Sequence, residues 1–92
     1  MIKSFQHKGL QAFFETGSKA GIQAQHAARL RLQLATLELA TSHNDMGLTN
    51  WRLHPLKVNL QEHWAVWVDK NRRLTFTFEG SHAILVDYQD YH

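Results

Sequence analysis

Residues 64–78 read WAVWVDKNRRLTFTF, which is the sequence pattern of a β-hairpin. Two runs rich in β-branched and aromatic residues flank the polar centre Asp69-Lys70-Asn71. Such runs favour strands, and a polar centre of this kind is typical of the turn between two strands. We therefore predict an antiparallel strand pair here, with the segments before and after it packing on the same sheet.

The predicted hairpin has two faces of different character, because side chains alternate across a strand. The apolar face is predicted to carry Trp64, Val66, Val68, Leu74, Phe76 and Phe78. The opposite face is predicted to carry Ala65, Trp67, Arg73, Thr75 and Thr77. One face should therefore pack into a core, and the other should be semi-polar, basic and open.

The composition fits one small domain that spans residues 1–92. With 92 residues and 43% hydrophobic content, the chain can bury one modest core. Its net charge of +2 permits a polyanionic partner. The absence of cysteine excludes disulfides and thiolate catalysis and indicates an intracellular protein. No segment has the pattern of a signal sequence or a membrane span, so we expect a soluble, cytoplasmic protein.

The first half of the chain is predicted to be mainly helical. Residues 2–5 alternate weakly and predict a short strand at an edge of the sheet. Residues 10–15 have helical spacing and predict a short helix with Gly17 as its C-terminal cap. Residues 24–41 contain neither Gly nor Pro and predict the longest helix.

This longest helix has two apolar stripes at helical spacing. The first stripe consists of Ala27, Leu30, Leu34 and Leu37. The second stripe consists of Ala28, Leu32, Ala35 and Leu39. The helix could be sandwiched between the sheet and the first helix, or part of it could receive a protein partner. We favour the sandwich, because a small domain needs its apolar stripes for its core.

The second half of the chain predicts further strands. Residues 41–50 are polar and predict a connection. Residues 51–57 contain Pro55, which cannot donate a ladder hydrogen bond, so this segment predicts an edge strand. After a turn at Gly80, residues 83–86 predict a buried strand that leads into the chain end. The predicted fold class is α+β, with an N-terminal strand and two helices packed on one face of a small antiparallel sheet.

Polar side chains that can carry chemistry converge on this sheet from three stretches of sequence. They are His54, Lys57, Arg73, Asp90, Tyr91 and His92. They offer groups that titrate near neutrality, fixed positive charges and hydrogen-bond donors, as metal-free cleavage of an RNA phosphodiester requires. Each also has a simpler explanation as a solvated charge, a turn residue or part of a frayed terminus. The histidine spacings fit no metal motif, so we predict neither a metal site nor a cofactor.

The order of these residues resembles the HigB toxins of the RelE/ParE superfamily. The resemblance is carried by Leu53-His54-Pro55-Leu56-Lys57, by the hairpin strands and by the terminal Asp90-Tyr91-His92. It implies a RelE-like fold and a ribosome-dependent mRNA endoribonuclease that acts as the toxin of a type II toxin–antitoxin system. It also implies a HigA-type helix-turn-helix antitoxin as partner, with operator DNA contacted only indirectly through the antitoxin complex.

The resemblance also implies roles for individual residues. Carried over by position, the catalytic and RNA-ordering group is His54, Asp90, Tyr91 and His92, with Lys57 and Arg73 stabilising phosphate charge. The residues predicted to bind RNA are Lys57, Trp67, Lys70, Arg72 and Arg73.

The chain departs from the family pattern near the hairpin. Residues 58–60 are Val, Asn and Leu, where a glycine followed by a basic residue is usual. Glu62-His63 replaces a glycine–aromatic pair, and Arg72 replaces a tryptophan. These changes predict weaker binding to the ribosome and leave the predicted fold unchanged.

Two other functions remain open from the sequence. A ParE-like toxin would keep the fold and inhibit a protein such as DNA gyrase. A regulatory domain would bind nucleic acid without cutting it. The motifs at residues 53–57 and 90–92 favour the endoribonuclease, whereas the mild net charge and the altered loop favour the regulatory domain.

Overall fold

A computed structural model describes residues 1–58 and 61–91 of the chain, with the backbone alone at residues 57, 58 and 61. Within these residues the helices are α1, Lys8–Thr16, and α2, Ala27–Leu39. The strands are β1, His54–Val58; β2, Gln61–Trp67; β3, Arg72–Glu79; and β4, His82–Asp90. Short 3₁₀ turns lie at Ala24–His26, His43–Met46 and Thr49–Trp51.

The strands form one antiparallel sheet in the order β1-β2-β3-β4. The pairing of β2 with β3 confirms the predicted hairpin, and it puts Trp67 opposite Arg73. The edge position of β1 agrees with Pro55, whose missing N–H would interrupt a central ladder. On the far side, the N-terminal segment lies along β4 through isolated parallel bridges at Ile2 and Phe5, so its predicted place at an edge of the sheet is correct, but it forms bridges and not a strand.

A β-bulge interrupts the pairing of β3 with β4. Thr75 lies opposite Asp87, whereas Thr77 lies opposite Ile84, so β4 carries one extra residue between these pairs. Leu85 lies inside this interval with a positive φ of 56°, which a residue with a side chain adopts rarely. The bulge shifts the register of the second half of β4, and that register determines which of its residues share a face with β3.

The core joins one face of each helix to the apolar face of the sheet. Its buried side chains include Leu10, Phe13, Leu30, Leu34, Leu37, Val66, Leu74, Phe76 and Val86. Full burial of one such side chain stabilises the fold by roughly 1.5–3 kcal/mol. This arrangement confirms the predicted α+β class with the helices on one face.

Both ends of α1 have identifiable caps. At the N-terminus, the His7 Nδ1 accepts a hydrogen bond from the backbone N–H of Leu10 at 3.0 Å. At the C-terminus, Gly17 has a φ of 81°, and its N–H donates to the Phe13 carbonyl at 2.9 Å. Gly17 is therefore the predicted C-cap, because glycine adopts this conformation without a steric cost.

The second apolar stripe of α2 is exposed, so the prediction of a sandwiched helix is wrong for that face. Leu32 is 56% exposed and Leu39 is 84% exposed. The core buries only the first stripe, because the sheet covers α2 from one side.

Neither helix within the described residues has the length and hydrophobicity that a bilayer crossing demands.

Candidate functional site

The polar face of the sheet is semi-polar, as predicted, but the prediction that it is open is wrong along β3. Thr75 is 2% exposed, Thr77 is 8% exposed and Arg73 is 9% exposed. The reason is that β3 is a central strand, so groups from both neighbouring strands enclose its side chains. The Glu62 carbonyl accepts from the Thr77 hydroxyl at 2.7 Å, and Gln89 Nε2 donates to the Thr75 hydroxyl at 3.3 Å.

Strand register places His54 and Arg73 on this same face. His54 lies opposite Ala65, which lies opposite Thr75. Two residues further along β2, Trp67 lies opposite Arg73. Directly paired residues share a face, so the backbones of His54 and Arg73 are separated by two strand spacings, about 10 Å, across the sheet and by two residues, about 7 Å, along it. A nucleotide could span this interval.

Trp67 is in contact with two guanidinium groups. The central guanidinium carbon of Arg52 and that of Arg73 each lie 4.2 Å from the centroid of the indole ring. The same carbon of Arg73 lies 5.3 Å from the centroid of the Tyr91 ring. Cations over aromatic faces are held electrostatically, so these four side chains form one ordered cluster.

Two carbonyl oxygens hold the Arg73 guanidinium by its NH1 group. NH1 donates to the Asp69 carbonyl at 2.8 Å and to the Arg72 carbonyl at 3.2 Å. Among the described residues no hydrogen bond occupies Nε or NH2 of this side chain. Those two groups are the pair with which arginine forms a two-point contact to a phosphate.

His54 is held so that one ring nitrogen can act as a base. Its Nδ1 lies 2.8 Å from the backbone carbonyl of Arg52. A carbonyl oxygen only accepts, so Nδ1 carries the hydrogen in this contact. In the neutral imidazole Nε2 is then the nitrogen with a lone pair, and it can take a proton from a substrate hydroxyl.

The helical layer fixes the backbone at the end of β2. The Trp67 carbonyl accepts from Arg29 Nε at 3.1 Å and from Gln33 Nε2 at 2.9 Å. Arg29 NH2 also donates to the Asn50 carbonyl at 2.6 Å, two residues before Arg52. Helix α2 therefore ties together the two segments that carry the Arg52 and Trp67 side chains.

The predicted residues near the chain end divide between the two faces. The Tyr91 N–H donates to the Asn71 carbonyl at 2.5 Å, which holds its backbone against the hairpin turn. Asp90 is exposed at the rim and lies opposite Arg72. The Arg72 guanidinium carbon lies 4.8 Å from the centroid of the Tyr88 ring, so it contacts the face away from Arg73. The Arg72 guanidinium thus lies outside the cluster around Trp67.

The remaining predicted residues are Lys70, Lys57 and His92. Lys70 is exposed in the hairpin turn. The backbone of Lys57 pairs with Glu62 in β1, and its side chain lies outside the described part of the structure. His92 and most of the altered segment at residues 58–60 also lie outside the described residues.

Sequence reasoning missed Arg52. It has a positive φ of 52°, its carbonyl orients His54, and its guanidinium packs on Trp67. A left-handed conformation costs a residue with a side chain roughly 1–2 kcal/mol, and such strain is concentrated at functional positions. The only sequence signal was a basic residue two positions before His54, and that signal does not reveal the contact with Trp67.

Metal ligands are not grouped in the part of the chain that the structure describes. Across residues 1–58 and 61–91, no set of three or more His, Asp or Glu side chains is arranged to hold a metal ion. The described side chains of the polar face offer an imidazole, two guanidinium groups and aromatic rings.

Two comparisons with known proteins show what this chain is similar to. The family model described as the RelE-like toxin of the type II toxin–antitoxin system HigB matches residues 3–92. Endoribonuclease HigB of Proteus vulgaris is 39% identical over 92 residues, which cover 100% of this chain and 100% of that protein.

Proposed function

This chain belongs to the HigB-like family of RelE-like toxins from type II toxin–antitoxin systems and is an mRNA endoribonuclease, and on that premise we propose that it cuts messages while they are bound to the ribosome. The resemblance identified in the sequence is confirmed by these comparisons. They favour nuclease activity over inhibition of a protein such as gyrase, because the matched relative is an endoribonuclease. Action on the ribosome implies action in the cytoplasm.

The observation that best supports this proposal is the arrangement of His54 beside the Arg52–Trp67–Arg73 cluster. His54 offers an acceptor nitrogen, since its Nδ1 donates to the Arg52 carbonyl. The two guanidinium groups on Trp67 offer positive charge for a phosphate, and the aromatic rings offer faces for nucleotide bases. A base and preorganised cations are two of the requirements of RNA cleavage through the 2′-hydroxyl, and an acid for the leaving oxygen is the third.

In the proposed reaction, His54 Nε2 takes the proton of the 2′-hydroxyl. The 2′-oxygen then bonds to phosphorus while the bond from phosphorus to the 5′-oxygen breaks. Arg73 and Lys57 compensate the negative charge that accumulates on the phosphoryl oxygens. His92 returns a proton to the leaving 5′-oxygen, so the products are a 2′,3′-cyclic phosphate and a 5′-hydroxyl. No metal takes part in this acid–base route.

The remaining predicted residues are assigned to substrate binding. Tyr91 and Trp67 stack on nucleotide bases, and Asp90 orients the chain end. Lys70 and Arg72 attract the RNA backbone from the hairpin turn. Cations outside the cluster around Trp67 contribute mainly to encounter with the ribosome, so their loss is expected to change its binding more than the chemical step.

The family implies a partner antitoxin, and we propose that it is a HigA-type helix-turn-helix protein. In this scheme the toxin reaches operator DNA only through the antitoxin. A small helix-turn-helix protein encoded next to this gene is the expected finding, and its absence would count against the pairing.

We expect induced expression without the antitoxin to arrest growth and to cut translated mRNA. The physical reason is that this face holds few cations with which to align a free RNA. The ribosome must therefore present an ordered RNA backbone to the catalytic groups. Mapping of new 5′ ends in cells tests this prediction, with the His54→Asn variant as control. Cuts without reading-frame periodicity, or equal cleavage of naked RNA, would contradict it.

The Arg52 guanidinium is also assigned to RNA binding. We expect Arg52→Gly to lower cleavage by about tenfold, since one hydrogen bond to a charged group is worth ~1.5 kcal/mol. Glycine accepts the positive φ at this position and keeps the carbonyl that His54 contacts, so the variant removes the charge and its contact with Trp67 without straining the backbone. The thermal midpoint should change little, because relief of the positive φ offsets the lost contact. Arg31→Ala, on the exposed side of α2, is the matched control and should keep full activity.

A further inference from the structure

The hairpin turn between β2 and β3 holds two residues of the polar face at once. The Asp69 carbonyl accepts from Arg73 NH1 at 2.8 Å. The Asn71 carbonyl accepts from the Tyr91 N–H at 2.5 Å. The positions of the Arg73 guanidinium and of the Tyr91 backbone therefore depend on the backbone conformation of residues 69–71.

The Asp69 carboxylate sets that conformation. Its Oδ1 accepts from the backbone N–H of Asn71 and from that of Arg72, each at 2.8 Å. Asp side chains stabilise turns in this way, because the carboxylate satisfies amides that the turn leaves without a partner. Without this carboxylate, the two amides would have to find other acceptors.

A buried histidine holds the carboxylate in place. His26 is 4% exposed, and its Nε2 lies 2.6 Å from Asp69 Oδ2. Its Nδ1 lies 2.5 Å from the Tyr88 hydroxyl. A carboxylate only accepts, so Nε2 carries a hydrogen, and in the neutral ring Nδ1 then accepts from the phenol O–H. The 3₁₀ turn before α2 is thereby connected to the hairpin turn.

The ionisation states of Asp69 and Tyr88, the two partners of His26, agree with the direction of these hydrogen bonds. Burial favours the neutral form of Asp69, but the hydrogen bonds from His26, Asn71 and Arg72 outweigh it and lower the pKa of Asp69 below its ordinary value. Burial raises the pKa of the Tyr88 phenol. At neutral pH the chain therefore has a carboxylate acceptor at one end and a phenol donor at the other.

The hydrogen bonds of His26 and of the Asp69 carboxylate are made within the protein, to Tyr88, to each other and to the turn amides. We propose that His26 and Asp69 are positioning residues, which hold the hairpin turn in the shape that presents Arg73 and Tyr91 to the RNA. This inference rests on the proposed endoribonuclease function.

A double-mutant cycle tests the proposal. Asp69→Ala is expected to lower cleavage of ribosome-bound message by about tenfold, mostly in kcat, since small displacements of a positioned group carry costs of this size. In an Arg73→Ala background, the same change should cost clearly less, about two- to threefold, because Tyr91 is then the one group left for the turn to position. Equal losses of activity in the two backgrounds would overturn the proposal.

Two further variants separate positioning from general loss of structure. Asp69→Asn should recover most of the activity, because its amide oxygen can still accept from the Asn71 and Arg72 amides. Asp45→Ala is the matched control, since Asp45 also accepts from a turn, through the Thr41 N–H at 3.0 Å, away from the polar face. It should lower stability and leave cleavage unchanged. If Asp69→Ala does not fold, Asp69→Ser enters the same cycle.

An NMR measurement tests the positioning role without depending on cleavage activity. The indole N–H signal of Trp67 in an NMR spectrum reports on the Arg73 guanidinium that packs on it. The chemical shift of this signal should change in Asp69→Ala and in Arg73→Ala, and it should stay unchanged in Asp45→Ala. Wild-type protein without cleavage activity would refute the proposed function, whereas an unmoved Trp67 signal in Asp69→Ala would refute the positioning role.

Discussion

Arg73→Ala is expected to lower cleavage of ribosome-bound mRNA by on the order of a hundredfold or more, the scale observed when one transition-state charge contact is lost. The guanidinium is preorganised, because NH1 is bound to the Asp69 carbonyl and the group packs on Trp67. Preorganised charge needs no rearrangement when the phosphate becomes more negative. Single-turnover cleavage on programmed ribosomes measures the effect.

The burial of Arg73 adds an expected loss of stability to this loss of activity. The side chain packs between aromatic rings at 9% exposure, so Arg73→Ala should cost about 1–2 kcal/mol and lower the thermal midpoint by several degrees. Arg73→Lys serves as the control, because it keeps the charge but cannot make a two-point contact with phosphate. Arg73→Ala that stays folded and retains more than a third of wild-type cleavage would remove this residue from the chemical step.

His54→Asn is expected to reduce the rate by roughly a hundred- to ten-thousandfold, the range found for loss of a general base. The asparagine amide can donate to the Arg52 carbonyl as Nδ1 does, so the local structure is retained. What the variant lacks is a basic nitrogen at the position of Nε2. The predicted effect is therefore on kcat, with binding to the ribosome little changed.

A histidine outside the polar-face cluster supplies the control for this measurement. His82 is the first residue of β4, and the β-bulge separates it from the end of β4 that lies near Trp67. His82→Asn should cleave as wild type does, under conditions where His54→Asn is inactive. Full activity of His54→Asn would transfer the role of base to another group, and His92 would be the next residue to replace.

Local patterns in the sequence predict the secondary structure and its arrangement well. The alternation in residues 64–78 predicted the hairpin of β2 and β3, and Gly17 marked the end of α1. These features depend on near neighbours in the chain, through strand alternation and through the steric freedom of glycine. The resemblance to HigB toxins was likewise carried by short motifs, and the family comparison confirms it.

The exposure of a side chain depends on its neighbours in space, and there the sequence was a poor guide. Alternation assigned Arg73 to the correct face, but only the central position of β3 explains why that side chain is buried. The second apolar stripe of α2 is exposed for the converse reason, since no element covers it within the described residues.

The contacts that organise the candidate site join residues distant in sequence. His26 and Asp69 are 43 residues apart, and Arg52 meets Trp67 from another segment. Neither contact has a local signature, because each joins a segment that precedes α2 or β1 to the end of β2 or to the turn after it. The sequence therefore determined which residue types are present and which face of a strand each side chain occupies. The partners of each polar group required the tertiary structure, because hydrogen bonds and cation–π contacts are made between separate elements.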